Sequence, residues 1–397
     1  MRDIGRDELR PPAAVFDVDL STTYGVERMD VTHYQTAWCL IRRNTVGVAV
    51  RFLDIADRSA LTLAELRDHF AGKDLPAPVA ATDSVNSSLT VVICTRDRAE
   101  GLHRTLTSLR KQADKSFDVV VIDNSRERDI ADSLTDFPGL NLRCYHEPLP
   151  GLSRARNRAL GEELGDLVAW IDDDEVADPE WITWLKRGFA SPHRPDAVVG
   201  VMLPAELETS AQVDWERYGG FNKGRGMEPT VLRAGAPPVV DPLYPRPIFG
   251  SGGNMAMRTA ALRAIGGFEN RLGAGTLTKG GEDTQAFSRL LQAGSAILHW
   301  PPAITWHYHR RTDAALESQL FGNSAGLTAF YMSSLLASPR NAWRILGFVP
   351  REVRAMLKNG RRRGQNPLPE RLFRASHKGL WRGPWLYVRE AFRQRNS

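Results

Sequence analysis

The sequence predicts an α/β protein: a doubly wound sheet that carries the chemistry, a small α+β unit before it, and a helical, basic segment after it. Three observations point there. From Leu89 onward, short apolar runs rich in β-branched residues alternate with stretches whose apolar residues recur at helical spacing, the pattern of strands joined by right-handed crossovers. One such run, Leu167-Val168-Ala169-Trp170-Ile171, stops abruptly in Asp172-Asp173-Asp174-Glu175. Charge is also split along the chain: residues 340–397 hold 15 Lys or Arg against 3 Asp or Glu, although the whole chain is only +5.

The first unit is expected over residues 1–80. It opens with a strand at 15–20, followed by two strands at 35–41 and 46–53 joined by Arg42-Arg43-Asn44-Thr45, a hairpin pattern. Leu63, Leu66 and Phe70 share a helical face behind a Thr62/Glu65 capping box. No polar cluster marks this unit as catalytic, so packing or docking is its expected role. Residues 72–88 read as a linker.

The second unit begins with a strand at 89–94, running into Thr95-Arg96-Asp97-Arg98. The next helix carries Leu102, Leu106 and Leu109 on one face, and Asp97 with Glu100 forms a capping-box pair, so Asp97 has a structural role open to it beside a ligand contact. Strands follow at 119–122, ending in Asp123-Asn124-Ser125, and at 142–145; a helix at 153–164 bears Arg154, Arg156 and Arg158. No G-x-G-x-x-G or G-x-x-x-x-G-K follows any strand, which argues against dinucleotide and P-loop chemistry.

After the strand at 167–171, four adjacent carboxylates repel one another and need positive charge among them. Hard carboxylate oxygens suit Mg2+ or Mn2+, which in turn hold substrate phosphates, and ligands of open α/β sheets gather at the carboxyl ends of strands. Capping does not account for these acids, because the next helix has its own start signal with Asp178 at N-cap and Pro179 at N1.

Beyond a strand at 197–203, residues 209–247 are rich in Gly, Pro and aromatics with no clear period. Gly250-Ser251-Gly252-Gly253-Asn254 then brings permissive backbone ahead of a strand, for a close ligand approach or a bulge. Glu282-Asp283 opens a helix, where capping and catalysis both remain open. His307 and His309 lie on one side of a strand as metal or structural residues. A helix at 314–336 precedes basic segments at 340–358, 361–363 and 384–395. The last interleaves Trp385, Leu386, Val388 and Phe392 with arginines, which suits an anionic membrane surface or a solvated basic tail.

No apolar run approaches the ~18–20 residues that span a bilayer, and Met1-Arg2-Asp3 begins no signal-peptide pattern. Cys39, Cys94 and Cys144 are far apart in apolar surroundings, as reduced core thiols are. A cytoplasmic protein is expected, peripheral at the inner face of the plasma membrane if the tail binds lipid.

The motifs Val91–Arg98, Val121–Asn124, Gly151–Asn157, Ile171–Asp174, Gly281–Asp283 and His307–Arg310, in this order, resemble glycosyltransferase family 2 over about residues 89–310. The resemblance implies a GT-A fold with a mixed sheet, divided into a nucleotide-binding half at 89–175 and an acceptor half at 176–312, with residues 313–397 as the basic helical region. It implies inverting transfer from a nucleotide-diphosphate sugar, with UDP the commonest donor nucleotide, to a hydroxyl acceptor in cell-envelope glycan or glycolipid synthesis. By the same resemblance, Asp172, Asp174 and His307 hold Mn2+ or Mg2+, with His309 in reserve. Thr95, Arg96, Asp123, Arg156, Asp172 and Asp173 meet the nucleotide, and Gly252, Gly253 and Asn254 floor the sugar pocket. Asp283 is then the general base, and Glu282 binds acceptor hydroxyls. The Q-x-x-R-W of processive synthases is absent, so a single addition is expected. Competing readings are a Mg-dependent nucleotidyltransferase, which releases pyrophosphate, and a basic-tail nucleic-acid or lipid-surface binder. Nucleic acid is not the expected partner.

Overall fold

Two sheets, one of four strands and one of nine, organise the computed structural model, with one short two-stranded pair beside them. It describes residues 1–80, 83–127, 130, 134, 137–223, 225–236, 240–245, 249–348 and 369–395.

The N-terminal unit contains β1 (Arg2–Asp3), β2 (Ala13–Asp19), β3 (Met29–Asp30), β4 (Thr36–Arg43), β5 (Val46–Asp54), β6 (Ala60–Leu61) and α1 (Leu63–Ala71), its sheet ordered β1-β5-β4-β2. The expected hairpin forms between β4 and β5, with Asn44 and Thr45 at φ 50° and 67°, the left-handed pair that a two-residue turn demands. The Thr62/Glu65 capping box also forms, Glu65 N–H donating to Thr62 Oγ1 at 3.0 Å. Alternation along β4 gives it two apolar faces. Cys39 and Ile41 pack with Phe16, Leu66 and Phe70 inside the unit, whereas Trp38 and Leu40 join Val201, Leu203 and Ile304 of the larger sheet and Val213 of the helix Ser210–Arg217.

The larger sheet draws on β7 (Leu89–Thr95), α2 (Ala99–Arg110), β8 (Asp118–Asp123), β9 (Asn141–His146), α3 (Leu152–Leu160), β10 (Leu167–Ile171), β11 (Glu175–Ala177), α4 (Trp181–Phe189), β12 (Ala197–Pro204), α5 (Ser210–Arg217), β13 (Thr230–Arg233), β14 (Asn254–Arg258), α6 (Thr259–Ala264), α7 (Glu282–Gln292) and β15 (Ala296–His307). Its order is β11-β15-β12-β14-β10-β7-β8-β9, with β13 also on β15. Strands β10, β7, β8 and β9 are parallel, as the strand–helix alternation predicts. By contrast, β14 runs antiparallel to both β10 and β12. The mixed α/β class is therefore the expected one. The reversed strand has a consequence for function: Asn254, at its start, pairs with Ile171 at the end of β10, so the glycines before β14 lie beside the acids after β10.

Several local expectations are corrected. Asp178 is not the N-cap of α4, which starts at Trp181 behind Glu180; the Asp178 carboxylate instead accepts from the buried Arg42 guanidinium of the N-terminal unit. Asp97 takes φ 54° and α2 starts after Arg98, so the Asp97/Glu100 capping pair does not form. The helix expected to Leu164 stops at Leu160 before Gly161. Residues 209–247 are not without structure: a Thr209/Gln212 capping box starts α5, and β13 follows.

Helices α8 (Asp313–Ala337) and α9 (Glu370–Arg395) pack as a pair, with residues 339–348 helical between them. Their approach requires glycine: a Cβ on Gly383 would stand 2.3 Å from the Ala325 carbonyl oxygen. Among the described residues no helix is long and apolar enough to cross a membrane. The basic residues at 351–363 lie outside the described residues. Cys39, Cys94 and Cys144 form no disulfide among the described residues.

Candidate active site

The acidic turn after β10 is held from behind by α2. A Cβ on Gly101 would stand 2.4 Å from the Asp173 carbonyl oxygen, and Thr105 Oγ1 donates to the Glu175 carbonyl at 2.7 Å. Glu175 then pairs with His307 across the β11–β15 ladder, bringing the histidine strand onto the turn. Residues far apart in sequence thus meet because one short strand returns against β15.

The four acids have four different surroundings. Asp172 keeps about a third of its side chain exposed. Burial, then the charges of Asp174 and Asp173, push its carboxyl up to about 6 against the pull of Arg156. Asp173 is buried and raised by burial; it accepts from Thr95 Oγ1 at 2.7 Å and Arg98 Nη1 at 3.0 Å. For Asp174 burial is outweighed by His307, Arg310 and Arg98, which hold its carboxyl below the ordinary range. Arg98 and Arg310 donate to its Oδ2 at 3.0 and 3.1 Å. Glu175 is fully enclosed and raised well above its usual value by burial and then by Asp172.

Whether these residues suit a divalent cation follows from donor chemistry. Two carboxylates and an imidazole are the right set, and His307 Nε2 stands 3.5 Å from Asp174 Oδ1. Burial lowers the His307 imidazole to about 3, so it is neutral, as a ligand must be. Among the described residues no three such side chains are already drawn together tightly enough to grip an ion. Arg98 and Arg310 supply the positive charge at Asp174. The set fits a cation in kind.

Arg156 links this turn to the far side of the site. Its side chain is 1% exposed, lies over the rings of Trp170 and Phe268, and approaches Asp172 Oδ1 at 3.6 Å and Glu282 Oε1 at 3.3 Å. It also donates to the Gly252 carbonyl at 3.0 Å, while Gly252 N–H donates to Asp283 Oδ2 at 3.0 Å. Burial and then the Asp283 charge raise Glu282 to about 7. Three segments, the end of β10, the loop before β14 and the first turn of α7, therefore converge on one guanidinium.

Gly252 and Gly253 are both needed as glycines. A Cβ on Gly252 would stand 2.9 Å from Arg156 Nη2, and one on Gly253 would stand 1.9 Å from Glu175 Oε1 and 3.0 Å from Asp172 Oδ2. Asn254, expected at the floor of the sugar pocket, lies at the start of β14. Its side chain is fully buried, donating to the Val201 and Ala303 carbonyls and accepting from Trp181 Nε1–H, so it ties strands together. Glu282 faces Arg156 and is buried. Thr95 and Asp123 are register partners at the ends of β7 and β8, and Asp123 accepts from Ser125 N–H at 2.9 Å. Arg96 is half-exposed beside Asp97, 3.5 Å away. Sequence reasoning gave no role to Arg98 or Arg310, although both lie inside the motifs; the position of Arg310 three after His307 was the available signal.

Residues 90–266 match the family described as Glycosyl transferase family 2. The class defined here is a mixed α/β glycosyltransferase domain with an acidic turn at a strand end. Over these residues the chain is similar to glycosyltransferase family 2, and the curated relatives it matches include glycosyltransferases. Over 242 residues it is 26% identical to the pre-mycofactocin glycosyltransferase of Mycobacterium tuberculosis, covering 60% of this chain and 46% of that protein. Over 123 residues it is 31% identical to the glucosyl-dolichyl phosphate glucuronosyltransferase of Haloferax volcanii, covering 29% and 38%. The matches thus span about half, or less, of these relatives' length. Among solved structures, the mannosyltransferase PcManGT of Pyrobaculum calidifontis, in complex with GDP-Man and Mn2+, is similar at TM-score 0.48 and 16% identity over 82% of this chain and 91% of that one.

Proposed function

We propose that this chain transfers a glycosyl group from a nucleoside-diphosphate sugar to an acceptor hydroxyl, with inversion and one sugar per acceptor. The observation that carries the reading is the convergence on Arg156 of Asp172 from the nucleotide side and of Glu282 and Gly252–Asp283 from the other. A donor and an acceptor held on either side of that point would meet.

The acceptor oxygen attacks the anomeric carbon as the bond to the diphosphate oxygen breaks, and the hydroxyl proton passes to the Asp283 carboxylate. An alcohol is a poor nucleophile at neutral pH, so a carboxylate within hydrogen-bond reach is needed. Glu282 stands beside it to contact the acceptor. Asp172, Asp174 and His307 would hold Mn2+ or Mg2+, which when bound would supply positive charge for the diphosphate leaving group. Arg98 and Arg310, already at Asp174, orient that carboxylate. Thr95, Arg96, Asp123 and Asp173 receive the nucleoside, with uridine the first base to test, and the backbone of Gly252 and Gly253 borders the sugar.

A membrane-linked acceptor is supported by α9. Trp381, Trp385, Val388 and Phe392 form one exposed stripe at spacings of four, three and four, flanked by Lys378, Arg382 and Arg389. The opposite face packs on α8 and reaches the loop before α7, where Leu277 N–H donates to Glu390 at 3.2 Å. Amphipathic basic faces of this kind lie in anionic lipid interfaces. This supports a peripheral location at the inner face of the plasma membrane and an acceptor hydroxyl on a lipid-linked glycan.

The test is a panel of nucleotide-sugars with Mn2+ or Mg2+, scored for nucleoside diphosphate release and for anomeric configuration of the product. Release of nucleoside diphosphate that Asp174→Ala abolishes is expected. Pyrophosphate release would instead identify a nucleotidyltransferase, and no turnover with any donor would overturn the reading.

A further inference from the structure

Behind the acidic turn, a ladder of buried polar groups runs out of the site into the N-terminal unit. His307 Nδ1 and His309 Nδ1 are 2.8 Å apart, His309 Nε2 is 3.2 Å from Glu216 Oε1, and Trp38 Nε1 donates to Glu216 Oε2 at 3.1 Å. The four side chains come from β15, the loop just after it, α5 and β4, and all are buried. Phe221 covers both imidazoles, with ring centroids at 4.6 and 5.8 Å, and a Cβ on Gly220 would stand 2.3 Å from Glu216 Oε1.

We infer that Glu216 and Trp38 are positioning residues that fix which nitrogen of His307 faces the site. Donor and acceptor chemistry requires this if His307 is the cation ligand proposed above. For His307 to offer the Nε2 lone pair, its proton must sit on Nδ1, where His309 Nδ1 lies at hydrogen-bond distance. His309 accepts at Nδ1 when its own proton is on Nε2. That proton needs an acceptor, and the Glu216 carboxylate is one that can only accept. Trp38 can only donate, so it holds the second oxygen and keeps the carboxylate from rotating. Read outward, the ladder ends with the His307 lone pair facing Asp174 Oδ1 at 3.5 Å. Two electron-rich atoms so placed suit a cation held by both. Outer-shell carboxylates that set an imidazole tautomer in this way commonly govern metal affinity by 10–100-fold. The N-terminal sheet thereby acquires a part in the chemistry, because Trp38 belongs to β4.

The test compares the full-length chain with Glu216→Gln, Trp38→Phe and His307→Gln. Mn2+ alone is titrated by calorimetry, and histidine tautomers are read from long-range 1H–15N correlation spectra with Mg2+ present, the His307→Gln spectrum giving the assignment. Expected are His307 protonated at Nδ1 in the parent chain, a 10–100-fold weaker Mn2+ affinity in Glu216→Gln with loss of the single tautomer, and a smaller loss in Trp38→Phe, which serves alone if Glu216→Gln does not fold. Wild-type Mn2+ affinity in both variants, with His307→Gln weakened, would overturn this inference and leave the cation site standing. An unchanged His307→Gln would overturn the cation role and the inference together. A parent chain carrying the His307 proton on Nε2 would overturn the inference by itself.

Discussion

Arg156 Nη1 lies 3.3 Å from Glu282 Oε1, and neither side chain is more than a tenth exposed. A buried guanidinium between carboxylates is costly to desolvate, and removing it leaves Glu282 and Asp172 uncompensated. Arg156→Ala is expected to destabilise the chain by about 3–5 kcal/mol, as breaking a buried pair does. Arg156→Lys should recover only part of this, because an ammonium lacks the planar fork that reaches Glu282, Asp172 and the Gly252 carbonyl together. Urea unfolding at constant m-value checks both.

Glu282 gives stability a pH signature. Its carboxyl is raised to about 7 by burial and then by Asp283, whereas in the unfolded chain it titrates near the ordinary glutamate value of 4.5. Between these values the folded chain binds more protons than the unfolded one, so this group makes stability fall as pH rises from about 4.5 to about 7 and then level off. Glu282→Gln should flatten that slope. An unchanged slope in denaturation measured at half-unit pH steps would contradict the assignment.

Gly253→Ala should cripple the site. The added Cβ would stand 1.9 Å from Glu175 Oε1 and 3.0 Å from Asp172 Oδ2, and overpacking of this kind costs about 1–3 kcal/mol. The acidic turn must shift, so activity should fall at least tenfold while the circular dichroism spectrum keeps its shape.

Asp283→Asn and Asp174→Ala should fail differently. The asparagine preserves the acceptor for Gly252 N–H yet cannot take a proton, so transfer should drop about 10²–10⁴-fold with donor binding kept. Asp174→Ala should lose both turnover and Mn2+-dependent nucleotide binding. Calorimetry of UDP with each variant, beside single-turnover rates, separates the two, and wild-type transfer by Asp283→Asn would remove it as the base.

Replacing Trp381, Trp385 and Phe392 together by serine should abolish flotation with phosphatidylglycerol vesicles while leaving transfer to a soluble acceptor intact. Each side chain is more than half exposed, so folding should not suffer. Retained flotation would exclude this stripe as the lipid face.

Much of this was legible in the chain. The apolar run ending at Ile171 dictates a buried strand, and consecutive carboxylates after it have no reason to exist in a core. Thr62 and Glu65 announce α1 because a capping box is a local interaction. Thr209 and Gln212 announce α5 by the same rule, although the surrounding glycines and prolines obscure it. What could not be read were relations set by sheet order. The antiparallel direction of β14, which brings Gly253 against Glu175, depends on long-range pairing. So does the inward turn of Asn254, whose neighbours are carbonyls on β12 and β15. Arg42 reaching Asp178 likewise has no signature in either segment alone.

Trp38 and Leu40 share their apolar contacts with Val201, Leu203 and Ile304. Expression of residues 89–397 alone would therefore leave an oily flank open to water on the sheet that carries His307, inviting self-association. Anyone trimming this chain for crystallisation should keep its front end attached.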